Sequence, residues 1–300
     1  MNPFLAYVSL YASMSLVGTY VAFSKVLVTT FPVLLLASMR FGIAAVVMIP
    51  WLKPEPGQAA LTSSSKQLIF WQSFFGNFCF SIFMLFGIAH TSAMAAGILM
   101  SLLPVCVAFL SWLWLNEKLN ARIFIALFLA VIAILFINLA KLNSTDTREN
   151  PSFLGNILLL AAVFCEAIYV VIGKKLTGNV SAKRISALTN LVGLSLMLPF
   201  GLWAAFGQAT IFDFTAVPLN SWLLLIFYAL AASQWSVWLW MKGLKYVRAM
   251  QAAVFTVALP VASTLVGVFF LNEKFLLSHA IAFSCAVFSL LLMGSVAKTV

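Results

Sequence analysis

The sequence predicts an all-α integral membrane protein whose ten transmembrane helices form two inverted five-helix repeats. Three observations carry that expectation. The composition is too apolar for water, ten apolar runs have the length of a membrane span, and the chain repeats itself with an odd number of spans in each copy.

Of the 300 residues, 64% are hydrophobic and 8% are charged, whereas a soluble domain has about 25% charged and roughly 45–50% apolar residues. A soluble fold of this size would leave much of that apolar surface facing water, so lipid is the expected solvent. Seventeen Lys and Arg against seven Asp and Glu give a net charge of +10. In a soluble chain this excess would point to nucleic acid. Here the bases stand singly or in pairs between apolar runs, with no basic stripe or phosphate-cradling loop, so topology explains them and no nucleic-acid partner is expected. Cys79, Cys106, Cys165 and Cys285 lie inside apolar segments without CxxC or Cys/His spacing and read as small packing residues. The histidines, His90 and His279, are far apart in sequence. No metal or cofactor is expected. The N-terminal stretch lacks a charged region ahead of its apolar run and reads as a retained first helix.

A membrane helix needs about 20 mostly apolar residues. Ten segments qualify: 4–24, 31–51, 68–89, 94–115, 121–140, 153–173, 184–206, 220–241, 249–271 and 276–297. An even number puts both termini on one side. If that side is the cytoplasm, twelve Lys and Arg are inside and four outside, with Arg40 left within a span. The positive-inside rule then predicts cytoplasmic termini in the cell (inner) membrane of a multi-pass protein.

The repeat is visible residue by residue. Gly87, Ala93, Met94, Ala96, Pro104 and Leu115-Asn116-Glu117-Lys118 recur 156 positions later as Gly243, Ala249, Met250, Ala252, Pro260 and Leu271-Asn272-Glu273-Lys274. Ahead of them Tyr20, Val21 and Lys25 recur 149 positions later as Tyr169, Val170 and Lys174. The expected organisation is a first repeat over 1–140, a linker over 141–152 and a second repeat over 153–300. Five spans per copy force the second copy to enter the membrane from the opposite side. Inverted repeats of this kind are the architecture of alternating-access carriers, which bind a small solute near the midplane.

The G-x5-TSA-x-AA run, the proline ten residues beyond it and the N-E-K that closes the span resemble the drug/metabolite transporter superfamily, in particular its ten-helix EamA-type members. Arg40-Phe41 in the second span and the lysines ending the first and sixth spans fit as well. The family's closing triplet is commonly glycine-glutamate-arginine-like, so Asn-Glu-Lys is a mild departure. The resemblance implies a central cavity made by helices 1–4 and 6–9, with helices 5 and 10 outside it. It also implies export of amino acids or related metabolites, with import or exchange of another metabolite, or drug efflux, as variations. A channel or a membrane enzyme is the rival class. No GxxxxGK[ST], HExxH or GxSxG pattern supports ATP hydrolysis or an enzyme.

Several polar residues inside spans are candidates for binding or coupling. Glu166 lies deep in the sixth span, where a carboxylate costs several kcal/mol unless it is paired, protonated or wet. It suits proton coupling, a substrate ammonium or an internal salt bridge. Arg40 carries the same cost and suits a substrate carboxylate, Glu166 itself or backbone carbonyls near a kink. Tyr20 and Tyr169, at matched positions, could offer hydroxyls and ring faces to a solute or anchor at the interface. Gln72, Asn77, Gln234 and Trp235 gather polar and aromatic groups in the third and eighth spans and are expected to face the cavity. Trp51, Trp112 and Trp114 read as headgroup anchors. Pro104 and Pro260 are expected mid-helix as hinges, each freeing a backbone carbonyl. Glu117 and Glu273 are expected to act locally, closing the turn and pairing across the repeat with neighbouring bases.

Overall fold

The computed structural model describes residues 2–54, 60–90, 99–100, 102–142, 153–207, 212–270 and 277–296. The repeat residues Ala93, Met94, Ala96 and Leu271–Phe275, and most of the linker, lie outside the described residues. The described residues form helices and connecting turns, with no strand among them. The first half contains α1 (Pro3–Leu27), α2 (Val33–Val47), α3 (Ser63–Ser73), α4 (Phe80–Ala89), α5 (Leu103–Leu115) and α6 (Ala121–Leu142). The second contains α7 (Phe153–Leu176), α8 (Ala182–Phe206), α9 (Leu219–Ala229), α10 (Ser236–Leu244), α11 (Ala249–Val254), α12 (Ala258–Phe270) and α13 (Leu277–Val296). Among the described residues five helical segments are long and apolar enough to cross a membrane: Pro3–Val21, Phe153–Leu176, Ala182–Phe206, Leu219–Leu244 and Ala249–Val266. Four shorter apolar helices accompany them.

Local sequence explains the helix ends. Asn2 accepts a hydrogen bond from the Phe4 N–H at 3.2 Å, and Pro3 occupies the first turn, where its missing N–H is not needed. Thr62 caps α3 through the Ser65 N–H at 3.1 Å, and Asn120 caps α6 through the Ile123 N–H at 2.8 Å. α5 ends on Asn116, whose φ of 53° is left-handed. That conformation favours glycine and tolerates asparagine, which is the physical reason an Asn can stand at this turn.

Two interruptions recur with the sequence repeat. A π-turn over Phe74–Cys79 joins α3 to α4, and another over Leu230–Trp235 joins α9 to α10, 156 residues on. Each closes with the same wide bond, from the Phe80 N–H to the Phe75 carbonyl and from the Ser236 N–H to the Ala231 carbonyl. α3 and α9 begin at matched residues, Ser63 and Leu219, as do α6 and α13, at Ala121 and Leu277. π-turns are rare and cluster at functional sites.

The packing has the same symmetry. α1 packs on α12 and α10, while its sequence mate α7 packs on α5 and α4. α2 packs on its own mate α8, and α6 on its mate α13. One close approach is made twice. A Cβ on Gly243 would stand 2.7 Å from Leu10 Cγ, and one on Gly87 2.8 Å from Leu159 Cγ. Gly87 and Gly243 are 156 positions apart, and Leu10 and Leu159 are 149 apart. Small residues at such crossings let membrane helices approach and gain dispersion contacts.

The prolines differ from expectation. Pro104 lies in the first turn of α5, and Pro260 is the third residue of α12. The helical path is interrupted before each. Leu102 N–H bonds the Leu99 carbonyl at 3.1 Å in a tight turn, and a 3-10 turn over Phe255–Val257 precedes α12. Pro104 therefore starts its helix, whereas Pro260 follows a 3-10 turn inside the helical stretch that begins at Ala249.

Candidate functional site

Between the two halves lies a cavity of about 490 Å³. Matched positions line it from both sides. Met14, Val17, Tyr20 and Val21 of α1 face it, as do Val163, Glu166, Tyr169 and Val170 of α7. Gly76, Asn77, Phe80, Ser81 and Met84 are answered by Ala232, Ser233, Ser236, Val237 and Trp240. Arg40 and Phe41 of α2 are answered by Thr189 and Asn190 of α8.

The container is symmetric, but its chemistry is not. Glu166 stands where the first half has Val17, and Arg40 stands where the second has Thr189. Each half thus supplies one ionisable group. The Arg40 guanidinium lies 4.3 Å from the Phe41 ring centroid and 6.0 Å from that of Tyr228, which meets the Tyr20 ring edge-on at 5.5 Å. Among the described residues Arg40 and Glu166 form no ion pair or hydrogen bond with each other or with any third side chain, and Arg40 Nε is buried without a partner. A charge in that state is costly in a low dielectric unless water or a ligand compensates it.

Hydrogen bonds between helices set the walls. Ser73 Oγ donates to the Thr189 carbonyl at 2.8 Å, and Asn77 Nδ2 donates to Ser73 Oγ at 3.0 Å. Asn190 Nδ2 donates to the Phe41 carbonyl at 2.9 Å, so this matched pair meets across the α2–α8 crossing. Ser13 Oγ donates to the Ser236 carbonyl at 2.7 Å. Interhelical bonds of this type contribute roughly 0.6 kcal/mol each on average in membranes. Gly76 is needed where it stands, because a Cβ there would fall on the Tyr169 ring.

Of the residues singled out from the sequence, Glu166, Arg40, Tyr20, Tyr169, Asn77 and Pro260 line the cavity. Gln72, Gln234, Trp235 and Pro104 do not. Gln72 is fully buried, and its Nε2 donates to the Tyr169 carbonyl at 3.2 Å, bracing α7 from behind. Gln234 is buried in the second π-turn, and Trp235 is 39% exposed with its ring edge toward Phe227 at 6.5 Å. The reason is helical phase. Residues 233, 236, 237 and 240 share the cavity face, and 234 and 235 point away from it. Thr189, Asn190, Ser233 and Trp240 went unnoticed in the sequence. Carrying Arg40-Phe41 and Asn77 across the repeat offsets would have found Thr189, Asn190 and Ser233.

Glu117 reaches across the repeat, and the partners it bonds there are backbone N–H groups. Its carboxylate accepts from the backbone N–H groups of Ala249, at 2.7 Å, and Met250, at 3.0 Å, at the start of α11 in the other half. The left-handed turn at Asn116 aims it there. Lys174 Nζ holds the same α10–α11 turn from the other side, donating to the carbonyls of Leu244 at 2.9 Å and Lys245 at 3.2 Å. Its expected counterpart, Glu273, lies outside the described residues.

With this geometry in view, the comparison with known proteins is decisive. The EamA-like transporter family matches residues 4–139 and again 153–295. The chain belongs to the EamA-like transporter family. It is similar to the uncharacterized transporter YetK of Bacillus subtilis (strain 168), with 36% identity over 283 residues covering 94% of this chain and 84% of that protein. YyaM of the same organism, also an uncharacterized transporter, is 22% identical over 77% of this chain and 74% of its own length. Protein PagO of Salmonella typhimurium is 29% identical over 58% of this chain and 57% of its own. A crystal structure with 17% identity superposes at a TM-score of 0.80 over 98% of both chains, and it shares the fold. The chain is therefore a multi-pass membrane transporter of the EamA-like family, as the sequence resemblance implied.

Proposed function

We propose that the chain is a secondary active carrier that exports amino acids or related metabolites by alternating access. One observation carries the reading: two opposite ionisable groups, one from each half, face a single cavity and are not paired with each other. Arg40 is suited to a substrate carboxylate by charge-assisted hydrogen bonds, and Glu166 to the substrate ammonium. When no ammonium is present, a proton takes its place on Glu166. Ammonium and proton then compete for one carboxylate, which couples outward movement of solute to inward movement of protons.

The same reading has ten spans in two inverted repeats, 1–140 and 153–300, joined by 141–152, with both termini in the cytoplasm of the cell (inner) membrane. Helical residues make up most of the described parts of the ten apolar segments, and the family matches the chain twice, which supports this arrangement. Paired π-turns and the breaks before Pro104 and Pro260 supply bending points where helix hydrogen bonding is already interrupted. Purified protein in liposomes loaded with one amino acid should show saturable counterflow of a labelled one, and Arg40→Gln and Glu166→Gln should each abolish it. Flux that does not saturate would indicate a channel. Wild-type counterflow in both variants would overturn the assignment.

A further inference from the structure

The polar groups of the cavity differ in whether they still have a proton to give. Asn77 lies in the first π-turn, and its amide protons are spent on the wall. Nδ2 donates to Ser73 Oγ at 3.0 Å and to the Thr189 carbonyl at 3.3 Å. A carbonyl can only accept, so this bonding fixes the amide's orientation and leaves Oδ1 as a free acceptor. Ser81, four residues on, gives its hydroxyl proton to the Asn77 carbonyl and keeps its lone pairs. No described residue donates to Asn77 Oδ1 or to Ser81 Oγ. Both residues are partly exposed and line the cavity. Glu166 lines it from α7, which packs against α4 and the first π-turn. Gly76, beside Asn77, has the ring of Tyr169 against it, one helical turn from Glu166. Three acceptors thus line the cavity at the junction of α4 and α7. The equivalent junction across the repeat joins α1 to the second π-turn and α10. There Val17, Ser233 and Val237 stand in place of Glu166, Asn77 and Ser81. Acceptors are gathered at one of two equivalent places, which packing alone does not require.

We infer that Glu166, Asn77 Oδ1 and Ser81 Oγ form a three-acceptor site for a primary ammonium group, so that Asn77 and Ser81 make the carrier select solutes whose cation bears N–H donors. This rests on the reading of Glu166 as the partner of the solute's ammonium. A primary ammonium offers three N–H groups, one for each acceptor. A lone carboxylate attracts any cation, including a quaternary one that has no proton to share. Asn77 and Ser81 are neutral, so they reward only an N–H. Each methyl group placed on the nitrogen removes a donor and leaves one acceptor of the wall without a partner, which is how hydrogen-bonding sites reject close analogues.

The test is binding, measured by isothermal titration calorimetry on the purified full-length chain in detergent. Each standard amino acid with a primary amine is compared with its N-methyl and N,N,N-trimethyl derivatives. For those that bind, one methyl should weaken binding about tenfold and three methyls about a hundredfold or more. Ser81→Ala should weaken the primary amine by about tenfold and leave the trimethyl form unchanged, so the preference shrinks. Asn77→Leu should act in the same direction. Rejection by bulk alone predicts the opposite for Ser81→Ala, with tighter binding of the trimethyl form in the roomier site. Arg40→Gln, at the other end of the solute, should weaken primary and trimethyl forms alike. Equal binding of the two forms by wild type, or an unchanged ratio in Ser81→Ala, overturns the inference. Weaker binding in Arg40→Gln would then still leave the amino-acid reading standing. If no amino acid binds, both fall together.

Discussion

Replacing Glu117 by Gln tests how the two halves are held. The wild-type carboxylate takes two N–H groups of α11, at 2.7 and 3.0 Å. Hydrogen bonds to a charged group contribute about 1.5–3 kcal/mol each, and a negative charge at a helix start adds roughly 0.3–1 kcal/mol. Glutamine keeps one acceptor oxygen and the shape but loses the charge and one bond. The contact is only partly buried, so the lower part of those ranges applies, and the net loss is about 2 kcal/mol. If the contact exists in only one of two carrier states, that loss shifts their ratio by roughly 30-fold toward the state open at this face. Spin labels at Arg122 and Tyr246, on a background without native cysteines, would report the shift as a longer distance population. The Glu117→Ala variant should move further in the same direction. An unchanged distance distribution in both variants, with unchanged melting temperature, would show that the contact does not discriminate between states.

The remaining predictions follow from the cavity and the packing. Under the proposed mechanism Glu166→Gln should abolish the pH dependence of any residual flux, because that mechanism exchanges proton for ammonium on this carboxylate; flux measured across imposed pH gradients checks this. Gly87→Ala and Gly243→Ala should each destabilise by about 1–3 kcal/mol through collision with Leu159 and Leu10, and their melting temperatures should fall by similar amounts because the contact is the same in both halves. Pro104→Ala should change stability by less than about 1 kcal/mol, since it sits in a first turn; a large loss of stability would restore the mid-helix reading. A reporter fused after Val300 should read cytoplasmic, and periplasmic activity would refute the inverted arrangement.

Much of the fold was legible because lipid imposes a blunt rule: long apolar runs become helices, and the two offsets of the repeat are written in identical residues such as Tyr20 and Tyr169. The charged members of the cavity were legible for the same reason, since Arg40 and Glu166 are expensive anywhere else in a span. Helical phase within a span was harder to read. Trp235 and Gln234 looked like cavity residues by composition, but the π-turn before Ser236 adds a residue to the turn and rotates them outward, and no local residue type announces such a turn. Glu117 was expected to pair across the repeat, but with bases; the partners it bonds are backbone N–H groups 132 and 133 positions away. Backbone donors have no sequence signature. What the sequence did offer was the Asn at 116, whose tolerance of a left-handed turn sets the direction of the residue after it.

The division of the two ionisable groups between matched halves has a consequence for how such a molecule could be assembled. A dimer made of two first halves would present Arg40 twice and no carboxylate, with Val17 at both of the positions that Glu166 occupies once. A dimer of two second halves would present Glu166 twice and no guanidinium, with Thr189 at both positions of Arg40. Only the pairing of unlike halves puts one of each into the same chamber, and one chain guarantees that pairing. A dipolar solute then finds a single preferred heading, and turning it end over end would set like charge against like. Because the chamber has a head and a tail while its frame has neither, the two half-turns of a transport cycle need not be equal in energy. That inequality gives a single chain a bias that a symmetric pair of subunits would lack.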